Sequence, residues 1–429
     1  MDNAKNFLLM PDELSKKYKF SKYNLYIDEQ RGIVSNTITQ AVSQFGDYMI
    51  NSLDLPDLLE CGFVVPIDKD ELRELEIEYE SRDNLVNELN LIIAITLDCQ
   101  FRCFYCYENH PVVYMKNDVK AALISFVEQK AKAGNDISVV WYGGEPLLDL
   151  STMKELTFSI LKICKENGVL YRASMISNGY AFDDYNIYCL DDLHIKAVQI
   201  TLDGLEESHE YRRPMINGEK SFDMIISNMT KIYFHTDCQL HLRINVDKDN
   251  IEEAYRLVEY CESNGLEDIE VNMGLLKEFG CNHSCSGCSS RLLSMKQFAD
   301  EFLKFKKFLV EHKFYNAVNK MNPEYKVNSC TMDAPNAYCI DPNGFVYKCI
   351  SDVGQTSKCI GNVKDGFDEN AHSEVSPFQL EICTKCEYFP ICKGGCLKNN
   401  SGVHRECNIW KYITEKLILQ EMELASAEE

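Results

Sequence analysis

The sequence predicts an α/β protein in three parts: a winged-helix-like module, a partial (β/α)6 TIM-like barrel, and a cysteine-rich domain. Three observations lead to this prediction. Six apolar, strand-like runs alternate with amphipathic helical segments between residues 86 and 320, which is typical of parallel strands joined by right-handed crossovers. Residues 1–85 have a different, strand–strand–helix rhythm. Residues 321–429 combine short strands, frequent turns and closely spaced cysteines, and they end in a helix.

The first part begins with two stretches of strand character. Tyr23–Ile27 and Gly32–Ile38 are predicted to pair as strands, and Gly46–Cys61 is predicted to be helical. The acidic stretch Asp68–Glu80 is expected to be a solvated helix face or a linker, because charge runs of this kind usually face water.

The central part supplies the predicted barrel. In a barrel of parallel strands, the side chains that do chemistry lie at the carboxyl ends of the strands. The loops that follow the strands are therefore where functional residues are expected. The predicted strands are Leu91–Leu97, Ile137–Tyr142, Tyr171–Ser177, Ile195–Thr201, Leu240–Val246 and Ile269–Met273, and the predicted helices include Val119–Ala133, Thr152–Glu166, Phe222–Phe234 and Ile251–Asn264.

The composition excludes several classes of function. The chain has 429 residues, with 44 Lys and Arg against 67 Asp and Glu, so its formal net charge is −23. Such a charge argues against nucleic acid as the main partner, because phosphate binding needs basic patches. No apolar run is long enough to span a bilayer and no secretory signal stands at the start, so a cytoplasmic protein without a membrane partner is expected. The 20 cysteines then indicate metal or redox chemistry rather than disulfides.

The first cysteine cluster follows the first predicted barrel strand. Cys99, Cys103 and Cys106 are spaced as Cys-x3-Cys-x2-Cys on one loop. Three thiolates on one loop suit three irons of a [4Fe–4S] cube and leave the fourth iron open to a small molecule. A zinc site and simple buried thiols are the two alternatives, although structural zinc normally takes four protein ligands.

This loop resembles the signature of radical S-adenosylmethionine (SAM) enzymes, and further matches follow in the expected order over residues 88–410. The resemblance implies that SAM chelates the open iron and is split by one electron, and that the resulting 5′-deoxyadenosyl radical removes a hydrogen atom from substrate. The segments that resemble the family's SAM-binding segments are Gly143-Gly144-Glu145-Pro146 after the second strand, Ser177-Asn178-Gly179 after the third, Asp203 after the fourth with Arg213 downstream, and Arg243 with Asn245 on the fifth.

The second cysteine field resembles the SPASM domain, which usually houses two auxiliary [4Fe–4S] clusters. The total expected is therefore three clusters. A zinc ribbon is the alternative, because the ligand count suits two zinc ions equally well. Cys339 is either the fourth ligand of the first auxiliary cluster or a buried thiol beside an open iron. The resemblance implies Cys330, Cys349 and Cys396 for the first auxiliary cluster, and Cys383, Cys386, Cys392 and Cys407 for the second.

Two local features bear on the reaction. Anaerobic sulfatase-maturating enzymes have a similar layout but usually carry Asp directly after the cysteine that matches Cys349, where this chain has Ile350. That difference removes a candidate base for formylglycine formation. The third cluster, Cys281-x3-Cys285-x2-Cys288, has three open interpretations: an extra metal site, thiols that shape the substrate channel, or incidental loop cysteines.

The expected function is therefore that of a radical SAM/SPASM peptide maturase, of the kind that forms a thioether from a peptide Cys, as in sactipeptides and ranthipeptides. Its partners would be a ribosomally synthesised, Cys-containing precursor peptide and an electron donor of the flavodoxin or ferredoxin type. The N-terminal module resembles a leader-recognition element that adds a peptide as a strand. Sulfatase maturation, carbon–carbon crosslinking and epimerisation stay open, as does a non-catalytic electron-transfer or zinc-binding protein that needs no SAM.

Overall fold

The structure is a computed structural model, and it describes residues 6–46, 48–82, 87–184, 186–267, 269–277, 290–371, 376–398 and 407–428. The described chain forms an N-terminal module, a barrel-like parallel sheet and a C-terminal cysteine-rich region. Among the described residues, no helix has the combination of length and apolar character that a membrane span needs.

The N-terminal module contains a three-stranded antiparallel meander, β2-β3-β4, and a separate antiparallel pair, β1-β5. The predicted helix Gly46–Cys61 is wrong in its first half, because the backbone on either side of Met49 is extended: Leu9 N donates to Tyr48 O at 2.7 Å, and Ile50 N donates to Leu9 O at 3.0 Å. The elements are α1 Asp12–Ser15, β1 Tyr18–Phe20, β2 Asn24–Asp28, β3 Ile33–Asn36, β4 Val42–Gln44, α2 Leu55–Glu60, β5 Val64–Pro66 and α3 Glu71–Glu80.

The central sheet confirms the predicted fold. Its six strands are parallel and stand in chain order, as successive right-handed strand–helix units require, and their inward side chains form the main core. The elements are β6 Glu88–Ala94, α4 Asn117–Lys132, β7 Asp136–Tyr142, α5 Leu150–Asn167, β8 Tyr171–Ser177, α6 Cys189–Asp192, β9 Ile195–Thr201, α7 Glu206–Arg212, α8 Phe222–His235, β10 Gln239–Val246, α9 Ile251–Ser263 and β11 Glu270–Leu275.

The C-terminal region continues the same sheet. Strand β12 pairs in parallel with β6, so the sheet is extended beside its first barrel strand, while β11 stands at the opposite edge. The elements are α10 Met295–Glu311, α11 Tyr315–Asn319, β12 Ala337–Ile340, β13 Phe345–Tyr347, β14 Gly361–Asn362, β15 Gly366–Phe367, α12 Glu381–Thr384, α13 Phe389–Cys392 and α14 Trp410–Glu428.

One face of the N-terminal module packs directly on the cysteine-rich region. Leu25 of β2 packs with Tyr388 and Ile391, and Cys386 lies against the same cluster. The Thr37 hydroxyl donates to Glu387 O at 2.7 Å. The two ends of the chain therefore share a core, although the barrel separates them in sequence.

Candidate active site

The three-cysteine loop follows the carboxyl end of β6; Cys99 is buried, and Cys103 and Cys106 are half-buried. Phe101 N donates to Cys99 Sγ at 3.4 Å, and Cys106 N donates to Cys103 O at 3.0 Å, which folds the loop into a tight turn. Burial raises the pKa of Cys99 to about 12, and it also raises the pKa of Cys103 and of Cys106. Buried thiols of this kind become thiolates only beside a strong positive charge such as a metal cluster, so their chemistry fits a bound cube.

The segment after α7 is paired with this loop along its length. Arg102 N donates to Pro214 O at 2.8 Å, and Phe104 N donates to Arg212 O at 3.2 Å. The pairing carries Arg213 to the loop, where its Nη1 donates to the Tyr105 hydroxyl at 2.7 Å. The structure thus brings Arg213 beside the cysteine loop.

The Gly143–Pro146 turn after β7 contacts the start of the cysteine loop. Gly144 N donates to Thr96 O at 3.1 Å, and Glu145 N donates to Asp98 O at 2.9 Å. A Cβ on Gly143 would lie 2.2 Å from Thr96 O, and one on Gly144 would lie 2.2 Å from Asp98 O. Only glycine permits this approach of two backbones, and Gly143 also has φ = 132°, which favours glycine.

The Glu145 carboxylate ties the ends of β7 and β8 together. It is fully buried and accepts hydrogen bonds from Asn178 N at 2.7 Å, Ser177 Oγ at 2.9 Å and Leu147 N at 3.0 Å. Burial raises the pKa of Glu145 to about 7, although the three hydrogen bonds oppose that shift. The Asn178 side-chain amide in turn approaches Cys99, with Nδ2 4.0 Å from Sγ.

The ends of β9 and β10 meet at the Tyr105 hydroxyl. Asp203 is fully buried, accepts from Asn245 N at 3.0 Å and also accepts from the Tyr105 hydroxyl. Asn245 Nδ2 donates to the same hydroxyl at 3.3 Å, and Arg243 Nε donates to Asn245 Oδ1 at 3.0 Å. Every predicted SAM-binding segment therefore lies at one end of the sheet, and each is joined to the cysteine loop by named hydrogen bonds.

Two parts of this network were missed at the level of sequence. Arg212 is buried, and its Nη1 lies 3.1 Å from Asp247 Oδ2. The Tyr142 hydroxyl contacts Glu108, and it lies 2.5 Å from the Tyr107 hydroxyl. Burial raises the pKa of Glu108 to about 7. The group of Tyr107, Glu108 and Tyr142 could have been found from position in the sequence, because Tyr107 and Glu108 directly follow Cys106.

Gly274 on β11 makes room for the Arg243 guanidinium. A Cβ on Gly274 would lie 1.7 Å from Nη2, so Gly274→Ala is expected to displace Arg243 without unfolding the chain. If Arg243 contacts SAM, affinity for SAM should fall about tenfold, which corresponds to about 1.4 kcal/mol. Calorimetric titration of SAM into the reconstituted enzyme measures this change. Gly46→Ala is the control, because its Cβ would meet no atom of the described residues within 4 Å; unchanged SAM affinity in Gly274→Ala would remove Arg243 from the site.

Four of the C-terminal cysteines lie close enough together for the charge of three of them to affect the pKa of the fourth. Burial raises the pKa of Cys392 to about 11, and negative charge on Cys383, Cys386 and Cys407 raises it further. All the cysteines in the described residues are free thiols. The set predicted for the second auxiliary cluster is thus brought together by the fold.

A second group forms around Cys349. Its negative charge raises the pKa of both Cys330 and Cys339, in each case after the larger effect of burial. Cys339 lies on β12 opposite Tyr347 and is fully buried.

Cys396 is tied to the Cys349 group through a lysine. Lys398, two residues after Cys396, donates to Ser351 Oγ at 2.7 Å, and that hydroxyl lies 3.1 Å from Cys349 Sγ. This contact joins the Cys396 segment to the turn after Cys349. The sequence prediction places both cysteines on one auxiliary cluster.

Among the described residues, no group of three or more His, Cys, Asp or Glu side chains is gathered as one metal ion requires. The predicted cluster Cys281, Cys285 and Cys288 lies outside the described residues.

Comparison with known proteins agrees with this geometry. Residues 93–233 match the family model of the radical SAM superfamily. A cysteine-type anaerobic sulfatase-maturating enzyme of Clostridium novyi is 23% identical, covering 72% of this chain and 87% of that protein. The sporulation killing factor maturation protein SkfB of Bacillus subtilis is 21% identical, covering 61% of this chain and 60% of that protein. Streptococcus suis SuiB bound to its precursor peptide SuiA has the same fold, with a TM-score of 0.53, 14% identity and coverage of 91% of this chain and 98% of SuiB.

The chain therefore carries a radical SAM domain. It is a radical SAM enzyme, related to sulfatase-maturating and peptide-maturing enzymes. The family implies SAM and one [4Fe–4S] cluster as cofactors.

Proposed function

We propose that this enzyme matures a ribosomally synthesised peptide by linking the sulfur of a peptide Cys to a carbon atom of the same peptide. The observation that carries the proposal is the joint layout of the site. The three-cysteine loop and the Gly143–Pro146 turn meet at the strand ends, and the group around Cys349 adjoins them. Burial raises the pKa of Tyr107, and negative charge on Cys106 and Cys349 raises it further, so this one ring neighbours both cysteine groups.

Three clusters belong to the proposal. Cys99, Cys103 and Cys106 would hold the SAM-binding cube; Cys383, Cys386, Cys392 and Cys407 would hold the second auxiliary cube; and Cys330, Cys349 and Cys396 would hold the first, with Cys339 as its fourth ligand. When bound, SAM would supply a radical that takes one hydrogen atom, and the auxiliary clusters would accept one electron. Joining a thiol to a C–H carbon requires both of these oxidations.

The chain's own residues orient the reactants and exclude water. Glu145 fixes Asn178 and Ser177 at the proposed site of the SAM methionine group, and Asp203 with Arg213 fixes the position of Tyr105 within the cysteine loop. These side chains are buried and mutually hydrogen-bonded, so their positions are set before substrate binds. A water-poor site protects a carbon radical from side reactions.

A peptide substrate is supported by the relatives. SkfB is a maturation protein by name, and SuiB has been solved with its precursor peptide SuiA. The β2-β3-β4 meander of the N-terminal module offers a sheet edge at β4, which is the proposed place for a leader peptide to add as a strand. A flavodoxin- or ferredoxin-type donor in the cytoplasm would supply the electron.

Sulfatase maturation is the second candidate, because the Clostridium novyi relative has that activity by name. The residue after Cys349 argues against it. Ile350 carries no carboxylate, and the next acid, Asp352, is held by Lys398 Nζ at 2.6 Å and Lys358 Nζ at 3.1 Å. Its Oδ1 is thus already engaged by two ammonium groups, so Asp352 is not placed as a free counterpart of the missing Asp.

The reaction is tested with any short Cys-containing peptide that an open reading frame neighbouring this gene encodes. The enzyme, reconstituted with iron and sulfide and supplied with SAM and dithionite, is expected to remove two hydrogen atoms from the peptide per crosslink. The product should lose one alkylatable thiol and keep its sulfur, as read by mass spectrometry. Loss of sulfur would instead indicate formylglycine, and a retained thiol would indicate carbon–carbon crosslinking or epimerisation.

A further inference from the structure

A cavity of about 370 Å³ lies on the open side of the barrel, between β11 and the helices α10 and α14. Its far wall is apolar and is formed by Met295, Phe298 and Phe302 of α10 together with Trp410 at the start of α14. A space of this size holds a few amino-acid side chains. Its apolar wall is suited to aliphatic or thioether groups rather than to a fully charged ligand.

The near wall is a strand edge. Strand β11 stands at the end of the ten-stranded sheet and has a described neighbour, β10, on one side only. Five consecutive residues of this strand, 271–275, line the cavity. Consecutive residues of a strand point to opposite faces, so a lining that includes all of them means that the cavity runs along the backbone edge. Such an edge offers N–H and C=O groups to an extended peptide.

Apart from the thiols Cys396 and Cys407, which the proposed function assigns to clusters, the charged side chains that line the cavity are opposite in sign to the net charge of the chain. Its described lining residues include the cations Arg243, Lys277 and Lys320, and none of them is Asp or Glu. Lys320 is partly neutralised by Glu270, with Nζ 2.6 Å from Oε2, so the excess positive charge comes mainly from the other two. On a chain of net charge −23, a concave, cationic lining favours an anionic ligand.

The cavity adjoins the reacting end of the sheet. Arg243 lines it and also donates to Asn245, whose side-chain amide reaches the Tyr105 hydroxyl on the cysteine loop. Cys396 and Cys407 of the C-terminal region line the same cavity. A ligand there would lie within one or two side chains of the proposed site of radical chemistry.

We propose that this cavity receives an extended segment of the peptide substrate in which an acidic residue neighbours apolar ones. The segment would pair with the free edge of β11, place apolar side chains on the α10 wall and place its carboxylate near Lys277. The inference rests on the proposed peptide maturation and names the chemistry of the substrate.

The test uses two fluorescein-labelled synthetic nonapeptides that share their apolar residues and differ in two positions, both Glu in one and both Lys in the other. Binding to the reconstituted full-length enzyme is followed by anaerobic fluorescence anisotropy. The acidic peptide is expected to bind about tenfold more tightly, and added salt should reduce that difference. Lys277→Glu should weaken binding of the acidic peptide about tenfold. An acidic peptide with alternate backbone nitrogens methylated should also bind about tenfold more weakly, because it cannot donate to the β11 edge.

Lys296→Glu is the matched control, since this exposed lysine follows Met295 but does not line the cavity; it should leave binding of both peptides unchanged. Equal affinity for the two peptides, or equal losses in the two lysine variants, would overturn the inference. Competition between SAM and the acidic peptide would also overturn it, because the cavity would then belong to the cofactor. Cleavage of SAM by the wild-type enzyme is measured separately. If the enzyme does not cleave SAM, the proposed function is contradicted. If it cleaves SAM but binds the acidic and the basic peptide with equal affinity, only this inference is contradicted.

Discussion

Replacing Cys99, Cys103 and Cys106 together by Ala is expected to abolish SAM cleavage while leaving the iron of the C-terminal region in place. The three thiols lie on one loop beside the Gly143–Pro146 turn, whereas the C-terminal cysteines gather in separate groups. The loss should be complete, because SAM cleavage needs the cube that these three thiols would hold. Production of 5′-deoxyadenosine measures the activity, and iron content should fall from that of three cubes to that of two.

Cys61→Ala is the control for this experiment, since Cys61 is half-buried in the N-terminal module and belongs to none of the groups above. It should retain both iron and activity. Retained SAM cleavage in the triple variant would refute the assignment of the loop. Loss of all iron from the triple variant would show instead that the cysteine groups form only as one unit.

Glu145→Ala is expected to reduce the free energy of unfolding by about 2–4 kcal/mol and to abolish SAM binding. The substitution leaves three donors without an acceptor, those of Leu147, Ser177 and Asn178, and a buried donor left alone costs about 1–3 kcal/mol. Burial already disfavours the charged form of this carboxyl group. The net loss in the free energy of unfolding is therefore smaller than the summed contributions of the three hydrogen bonds. Urea unfolding and SAM titration measure the two effects.

Glu145→Gln separates charge from shape. It keeps the volume but presents an amide to a site built from donors, so its stability should fall between those of the wild type and the Ala variant. Glu128→Ala is the matched surface control, because that exposed side chain pairs with Lys132 one helical turn away, and it should cost less than about 0.5 kcal/mol. If Glu145→Ala were as stable as Glu128→Ala, the carboxylate would not be what joins the strand ends.

The barrel could be predicted from the sequence because its strands are bounded by clear apolar runs. Tyr171–Ser177 and Ile195–Thr201 are identical in prediction and structure. Turn glycines could be predicted in the same way, since Gly143 and Gly144 form a local pattern after a strand. The first predicted strand, Leu91–Leu97, begins and ends three residues after the observed strand β6. The reason is that Ile95, Thr96 and Leu97 are apolar or buried but belong to the loop.

Partners that are distant in sequence could not be predicted. The bond of Tyr105 to Asp203 joins positions 98 residues apart, and no local pattern encodes it. The extended backbone around Met49 is likewise set by its pairing with Leu9, which overrides the local helical pattern. The cavity beside β11 depends on α10 and α14 meeting a strand edge, and this meeting is a property of the whole fold.

The shared core of the two chain ends has a consequence for synthesis. Leu25 packs with Tyr388, and 363 positions separate them. At translation rates of about 5–20 residues per second, these strands leave the ribosome roughly 20 to 70 s before their packing partners. The N-terminal module must therefore wait with an apolar face uncovered, a period in which a chaperone or the peptide itself is free to occupy it.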